Sequence, residues 1–219
     1  MNFLSAVEFL KELGENNNKP WFDANRTRYE KMKVEWLETV ASLIKEVASF
    51  DKDIEDLEPK NCVFRINRDV RFAKDKSPYK TNISAYLSKG GKKSLYGGYY
   101  IQISPSESFL AGGMWMPEPA QLQAIRQEID YHSDTFKKII ENKTFVKLFG
   151  ELENQKLSSV PKGFEKDNPN AELLKFKSFV AIHKLEEKDF LDKNFVKNTV
   201  EMIRELKPFN DFLNKAIES

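Results

Sequence analysis

The chain has 219 residues, 40% of them hydrophobic and 32% charged, with 17 Phe and 3 Trp and a net charge of +1. That is enough apolar material for one enlarged domain with a buried core, and it excludes an intrinsically disordered chain. Near-neutrality argues against a general nucleic-acid binder, which carries a basic surplus over a whole face. No run approaches the roughly 18 apolar residues that span a bilayer, and the first residues lack a basic stretch followed by an apolar one. A single cysteine, Cys62, forms no internal disulfide. The expectation is a cytoplasmic protein with no membrane partner.

Ser5-Ala6-Val7-Glu8 has the form of a capping box and Gly14 that of a stop, so a helix is predicted from about 6 to 13. Pro20 suits a first turn, and Tyr29, Met32, Trp36, Val40, Leu43, Ile44 and Val47 recur at three- and four-residue steps, predicting a long amphipathic helix that ends near Phe50. From Cys62 the period becomes two. Ile83, Ala85 and Leu87 form one alternating run and Tyr99, Ile101 and Ile103 a second; Pro105 to Ser108 makes a turn and Phe109 to Trp115 a third strand, together an antiparallel meander. Pro117 and Pro119 open a helix carrying Leu122, Ile125 and Ile129, and Ser133-Asp134 can cap another. Residues 151 to 170 read as irregular, Ser178 to Leu185 as a further strand, and Phe195 to Leu206 as a last helix that Pro208 interrupts. The fold class is α+β: a single domain, 1–219, with a central antiparallel sheet of about four to six strands packed against N- and C-terminal helices.

Charge is densest between residues 65 and 80, where six basic side chains (Arg65, Arg68, Arg71, Lys74, Lys76, Lys80) face two acidic ones (Asp69, Asp75). This surplus of four on a chain of +1 marks a site for something anionic. Phe64, Ile66, Val70 and Phe72 alternate with polar neighbours, but Arg68 breaks the pattern. Either the chain bends there or Arg68 points coreward and requires a carboxylate or a bound anion. A straight strand would hold Arg65 and Arg71 roughly 20 Å apart, whereas a bend brings Arg68 and Arg71 close enough to clamp one anion. The bend is the favoured geometry. Tyr79 offers a hydroxyl and a flat face to a ligand.

The run Arg65-x-x-Arg68-Asp69-x-Arg71-Phe72, followed by Asp75-Lys76-x-Pro78-Tyr79-Lys80, resembles the signature of a family of bacterial and fungal proteins catalogued as domain of unknown function 2461. The resemblance extends over nearly the whole chain, through Asn16-Asn17-x-x-x-Trp21-Phe22, Gly112-Gly113-x-Trp115 with Pro117, Pro161-Lys162-Gly163-Phe164 and Leu206-Lys207-Pro208. It implies no activity, substrate or cofactor. The chain departs from the family's pattern at Ala111, where members often carry a third glycine, and at Asn168, where they often carry a histidine.

Elsewhere the signals are weaker. His132 and His183 have no metal-ligand spacing, and Lys89-Gly90-Gly91-Lys92-Lys93-Ser94 fails the phosphate-loop pattern and reads as a turn. Cys62 reads as buried, Trp21-Phe22 as packing, and Gly112-Gly113 as a bulge or a close approach by a ligand or another backbone. The leading functional expectation is recognition of a phosphorylated or otherwise anionic small ligand by Arg65, Arg68, Arg71, Lys76, Tyr79 and Lys80. If chemistry follows, Asp69 or Asp75 is the candidate base. The alternatives are a noncatalytic protein that meets an acidic macromolecular partner, and a weak single-stranded nucleic-acid binder. The sequence names no cofactor and no oligomeric state.

Overall fold

The computed structural model describes residues 1–218. In chain order the elements are α1 (Phe3–Glu15), α2 (Lys19–Ala24), α3 (Arg26–Ala48), a 3-10 turn (Lys52–Ile54), α4 (Pro59–Cys62), β1 (Ile83–Leu87), β2 (Gly98–Ile103), β3 (Ser108–Met114), α5 (Pro119–Tyr131), α6 (Ser133–Ile140), α7 (Lys143–Phe149), α8 (Ala171–Leu174), β4 (Phe179–Leu185), α9 (Glu187–Leu191) and α10 (Phe195–Glu218). The fold is α+β, with one open antiparallel sheet whose strands lie in sequence order, β1-β2-β3-β4. The meander and the later strand are where the alternation predicts them. The helix boundaries differ in instructive ways.

Asn2, not Ser5, caps α1: its side chain accepts from the Ser5 N–H, which lets Phe3 join the helix and pack its ring on Phe190 and Phe195. Gly14 does not stop the helix, which ends at Asn16, whose N–H donates to the Glu12 carbonyl. The predicted long helix divides at Asn25 into α2 and α3, with Asn18 capping α2 through the Trp21 N–H. The α7 helix was not anticipated; it is short, starts on the Asn142 side chain and buries Phe145 and Phe149 at i,i+4 spacing. Pro208 does not interrupt α10. Its ring removes one backbone donor, while Leu206, Phe209 and Leu213 stay buried on the same helix, and this tertiary burial overrides the local penalty.

The chain groups into two compact units. The first comprises Met1–Lys93, Tyr100–Leu110 and Lys184–Val200. Its interior is built from Phe9, Leu10 and Leu13 of α1, Trp36, Val40, Leu43 and Val47 of α3, and the inward strand residues Ala85, Leu87, Ile101 and Ile103. A two-pronged ion pair, Arg28 to Glu12 at 2.7 and 2.9 Å, ties α3 to α1. The second unit comprises Ser94–Tyr99, Ala111–His183 and the residues from Glu201 on. Phe136 centres its core, with ring centroids 5.0 Å from Phe212, 6.0 Å from Phe209 and 6.1 Å from Phe179.

The glycine pair in β3 marks a close approach by backbone. Gly113 has φ +114°, and a Cβ there would lie 2.0 Å from the Phe179 carbonyl oxygen of β4. At Gly112, whose φ is ordinary, a Cβ would meet the buried Leu206 side chain at 2.7–3.0 Å, a collision with a side chain that can shift rather than with backbone. Gly113→Ala therefore combines a left-handed φ with a collision against backbone, and we expect a loss of roughly 3 kcal/mol or more. Gly112→Ala should cost clearly less. Urea unfolding of the two variants beside the parent measures the difference.

Candidate functional site

The basic segment is a chain reversal rather than a strand. Val63 bridges Ala85 and the Phe64 N–H donates to the Ser84 carbonyl, which fixes the segment's start on β1. Asn67 then pairs antiparallel with Tyr79, flanked by Arg68 N–H to the Pro78 carbonyl at 2.9 Å and Lys80 N–H to the Ile66 carbonyl at 2.7 Å. Residues 69–77 form the tip. The inward–outward alternation ends at Ile66, which is buried: Phe72 at the tip is 96% exposed.

The bend does not bring Arg68 and Arg71 onto one anion. The Arg68 guanidinium donates to the Asp75 carboxylate and to the Ser77 carbonyl at 3.1 Å. Its partner is not a buried carboxylate, since the Asp75 side chain is 63% exposed. Arg71 grips Asp69 with two prongs, Nε to Oδ1 at 2.9 Å and Nη2 to Oδ2 at 2.7 Å. Lys76 donates from Nζ to the Val70 carbonyl at 3.0 Å and the Arg71 carbonyl at 3.4 Å. Three of the six cations thus hold the loop's own shape.

Asp69 and Asp75 serve the same purpose. The Arg71 fork and backbone hydrogen bond hold the Asp69 carboxyl below its ordinary range. Asp75 accepts from the Ser77 hydroxyl at 2.6 Å and N–H at 2.9 Å, then from Arg68, and is held well below that range. A carboxylate whose charged form is favoured this way is a poor proton acceptor, so the geometry gives both residues a scaffolding role in place of that of a base.

Tyr79 is core. Its ring stacks on Phe22 at 4.1 Å and 14°, and the Asn17 carboxamide clamps its backbone from both sides, Nδ2 to the carbonyl and Oδ1 from the N–H, each at 3.0 Å. That leaves Arg65 and Lys80. Lys80 is half-buried, its ammonium 5.2 Å from the Phe64 ring centroid, and no carboxylate among the described residues pairs with it. Burial, and then the like charge of Arg65, push its pKa down. Arg65 is exposed and likewise makes no ion pair among the described residues. The aromatic surface beside them continues from Phe64 to Tyr100, edge-on at 6.1 Å, and from Tyr100 to Phe109 at 5.6 Å.

The remaining candidates read as structure. Lys92 donates to the carbonyls of Lys60 and Val63 at 2.9 and 2.8 Å, which binds the Lys89–Ser94 turn to α4 and its end. Cys62 is buried, and burial pushes its thiol up to about 11, away from the reactive thiolate. His183 meets the Leu148 carbonyl at 2.7 Å, and among the described residues no group of three or more His, Cys, Asp or Glu could hold a metal ion. One charged residue escaped the sequence reading: Arg126, buried on α5. The signal was available, because it lies four residues after Leu122 and three before Ile129, on the helix's apolar stripe.

A family model described as "Conserved hypothetical protein (DUF2461)" matches residues 5–212, which takes in both units and the whole basic reversal. The chain belongs to this family. No curated protein and no solved structure matches it. In this DUF2461 member, Ala111 lies buried in β3, and the Asn168 side chain donates to the Asp130 carboxylate at 2.7 Å. No helix among the described residues is long and apolar enough to cross a membrane.

The Asp75 network has a defined acid limit. Its folded-state pKa lies below its unfolded one, so the stabilisation is present above the ordinary aspartate value and is lost as pH falls from there toward the depressed folded value. Carboxyl carbon NMR should find Asp75 still ionised at about pH 3, where an ordinary aspartate is mostly protonated. Ser77→Ala should move this titration up more than Arg68→Lys does, because the Ser77 hydroxyl is the largest cause.

Proposed function

We propose that the protein binds a phosphorylated or otherwise anionic small ligand through Arg65 and Lys80. The observation that carries this reading is a half-buried ammonium beside a guanidinium, neither of them ion-paired with a carboxylate among the described residues, although Asp69, which Arg71 already grips, feels the Arg65 charge. Two like charges held together against mutual repulsion and partial burial are relieved by an anion. Arg68, Arg71 and Lys76 hold the loop that presents Arg65, and Tyr79 fixes the backbone that presents Lys80. The Phe64 face beside Lys80 favours a ligand with an apolar or flat portion next to its charge. The same reading places the protein in the cytoplasm, in keeping with an unpaired, buried Cys62.

A thermal-shift series with phosphate, nucleotides, sugar phosphates and carboxylates at low salt tests the proposal. A ligand at about 100 times its dissociation constant should add roughly 2.7 kcal/mol to stability. Arg65→Ala and Lys80→Ala should each remove most of that gain, whereas Arg71→Ala should keep much of it. No response to any member of the series would defeat the reading.

A noncatalytic contact with an acidic macromolecule is favoured by one observation, the nearly complete exposure of Phe72 beside Arg71, whose guanidinium lies 5.9 Å from its ring. Phe72→Ser should leave small-anion stabilisation intact and abolish such a contact. Single-stranded nucleic acid is not the expected partner. An oligonucleotide spread over six free cations would lose affinity with a log–log salt slope of about −4, at about −0.7 per phosphate. Three of the six are already engaged within the loop, so we expect no steep slope in a labelled-oligonucleotide titration.

A further inference from the structure

The second unit contains a buried positive charge with no counter-ion. Arg126, in the middle of α5, is only 7% exposed. Its Nη2 donates to the Phe176 carbonyl at 2.9 Å, and its Nε is buried with no partner. No carboxylate among the described residues lies within ion-pair distance of it. Asp130, one turn further along α5, is taken by the Asn168 side chain at 2.7 Å. A guanidinium cannot escape the cost of burial by losing its proton at any ordinary pH, even though burial pushes its pKa down. An uncompensated charge in such a place costs several kcal/mol on the order-of-magnitude scale, and the Phe176 carbonyl leaves the buried Nε–H without an acceptor.

Three residues at i, i+3 and i+7 on α5 meet the 161–178 segment, which includes α8, in turn. Gln123 lies 3.8 Å from where a Cβ of Gly163 would stand, Arg126 reaches the Phe176 carbonyl, and Asp130 holds Asn168. Gly163 has φ +94°, and the Asn168 side chain also accepts from the Asn170 N–H at 2.7 Å, so the segment is fixed by its own local contacts. Ile125 and Ile129 of α5 and Leu174 and Phe176 of the facing segment are all buried, so the elements that hold Arg126 are apolar in their interior.

We propose that Arg126 is the anchor of a second anion site, under the 161–178 segment, that takes the carboxylate of a small monoanionic ligand. One buried positive charge is neutralised by a monoanion, whereas a phosphate dianion would leave a net negative charge in that apolar interior. The planar guanidinium matches the two oxygens of a carboxylate. This site is independent of Arg65 and Lys80, which belong to the first unit.

The test uses the full chain at constant ionic strength, with chloride replaced stepwise by acetate or formate, and with phosphate in a parallel arm. At about ten times the dissociation constant the unfolding midpoint should rise by roughly 3–6 °C. The Arg126→Met variant, of similar length without charge, should be at least as stable as the parent in chloride and should lose the rise. Both arms are read in the Arg65→Ala/Lys80→Ala background, which removes any contribution of the first site and should retain the rise that Arg126→Met abolishes. Should Arg126→Met fail to fold, the Nε–H resonance of Arg126 in the parent gives the reading directly. That proton is enclosed, and it should shift saturably with acetate and not with chloride. An unmoved resonance, or, in the Arg65→Ala/Lys80→Ala background, an unchanged midpoint in carboxylate, equal responses with and without Arg126→Met, or a stronger response to phosphate than to acetate each overturns the proposal.

Discussion

The basic reversal depends on one side chain far from it in sequence. Asn17, between α1 and α2, donates to and accepts from the backbone of Tyr79, completing on a single residue the pairing that a neighbouring strand would otherwise supply. Two such bonds contribute about 1 kcal/mol each, and the Phe22–Tyr79 stack adds apolar burial to the same point. With Tyr79 fixed, Lys80 follows immediately, its N–H held by the Ile66 carbonyl and its side chain laid over Phe64. The position of the half-buried ammonium is therefore inherited from an amide clamp and a ring stack, not from its own charge.

A dense charge cluster need not be a dense ligand site. Of the eight charged groups between residues 65 and 80, Arg68, Arg71, Asp69, Asp75 and Lys76 are engaged with one another or with loop carbonyls. Because these pairs are exposed, each contributes little to global stability, and their effect is local: they choose one backbone path for a tip with almost no apolar anchor. The buried Arg126 is the opposite case. It is a single charge where there is no cluster, but burial makes its demand for compensation far larger.

The sheet was legible in the sequence because apolar residues recur at every second position in β1 and β2, although only β2 buries alternate residues and β1 and β3 are buried almost throughout. Cap positions were less so, since Asn2 and Ser5 are both good caps and only the burial of Phe3 decides between them. Pro208 misled because a local rule about backbone donors carries no information about the apolar face of α10. At the candidate site, the sequence singled out the segment and Arg68's break in its alternation but not the partners, because a pairing such as Arg68 with Asp75 depends on how the chain reverses. Tyr79 looked available to a ligand because it lies inside the basic segment and its phenol offers a hydroxyl and a flat face; only the ring of Phe22, 57 positions away, determines that it is covered.

The contacts that build the loop and those that seat it have very different reach along the chain. Within the loop, Asp69–Arg71, Arg68–Asp75 and Asn67–Tyr79 join residues two to twelve positions apart, whereas Asn17 and Tyr79 are separated by 62. Closing a short loop of about ten residues takes on the order of 10–100 ns, and its entropic cost rises with the length enclosed. The reversal is thus a unit that can take shape by itself and dock afterwards, once α1 and α2 have brought Asn17 into place. Damage to the clamp would detach an internally ordered hairpin instead of dissolving it, leaving Arg65 and Lys80 near each other but no longer seated by Asn17 and Phe22.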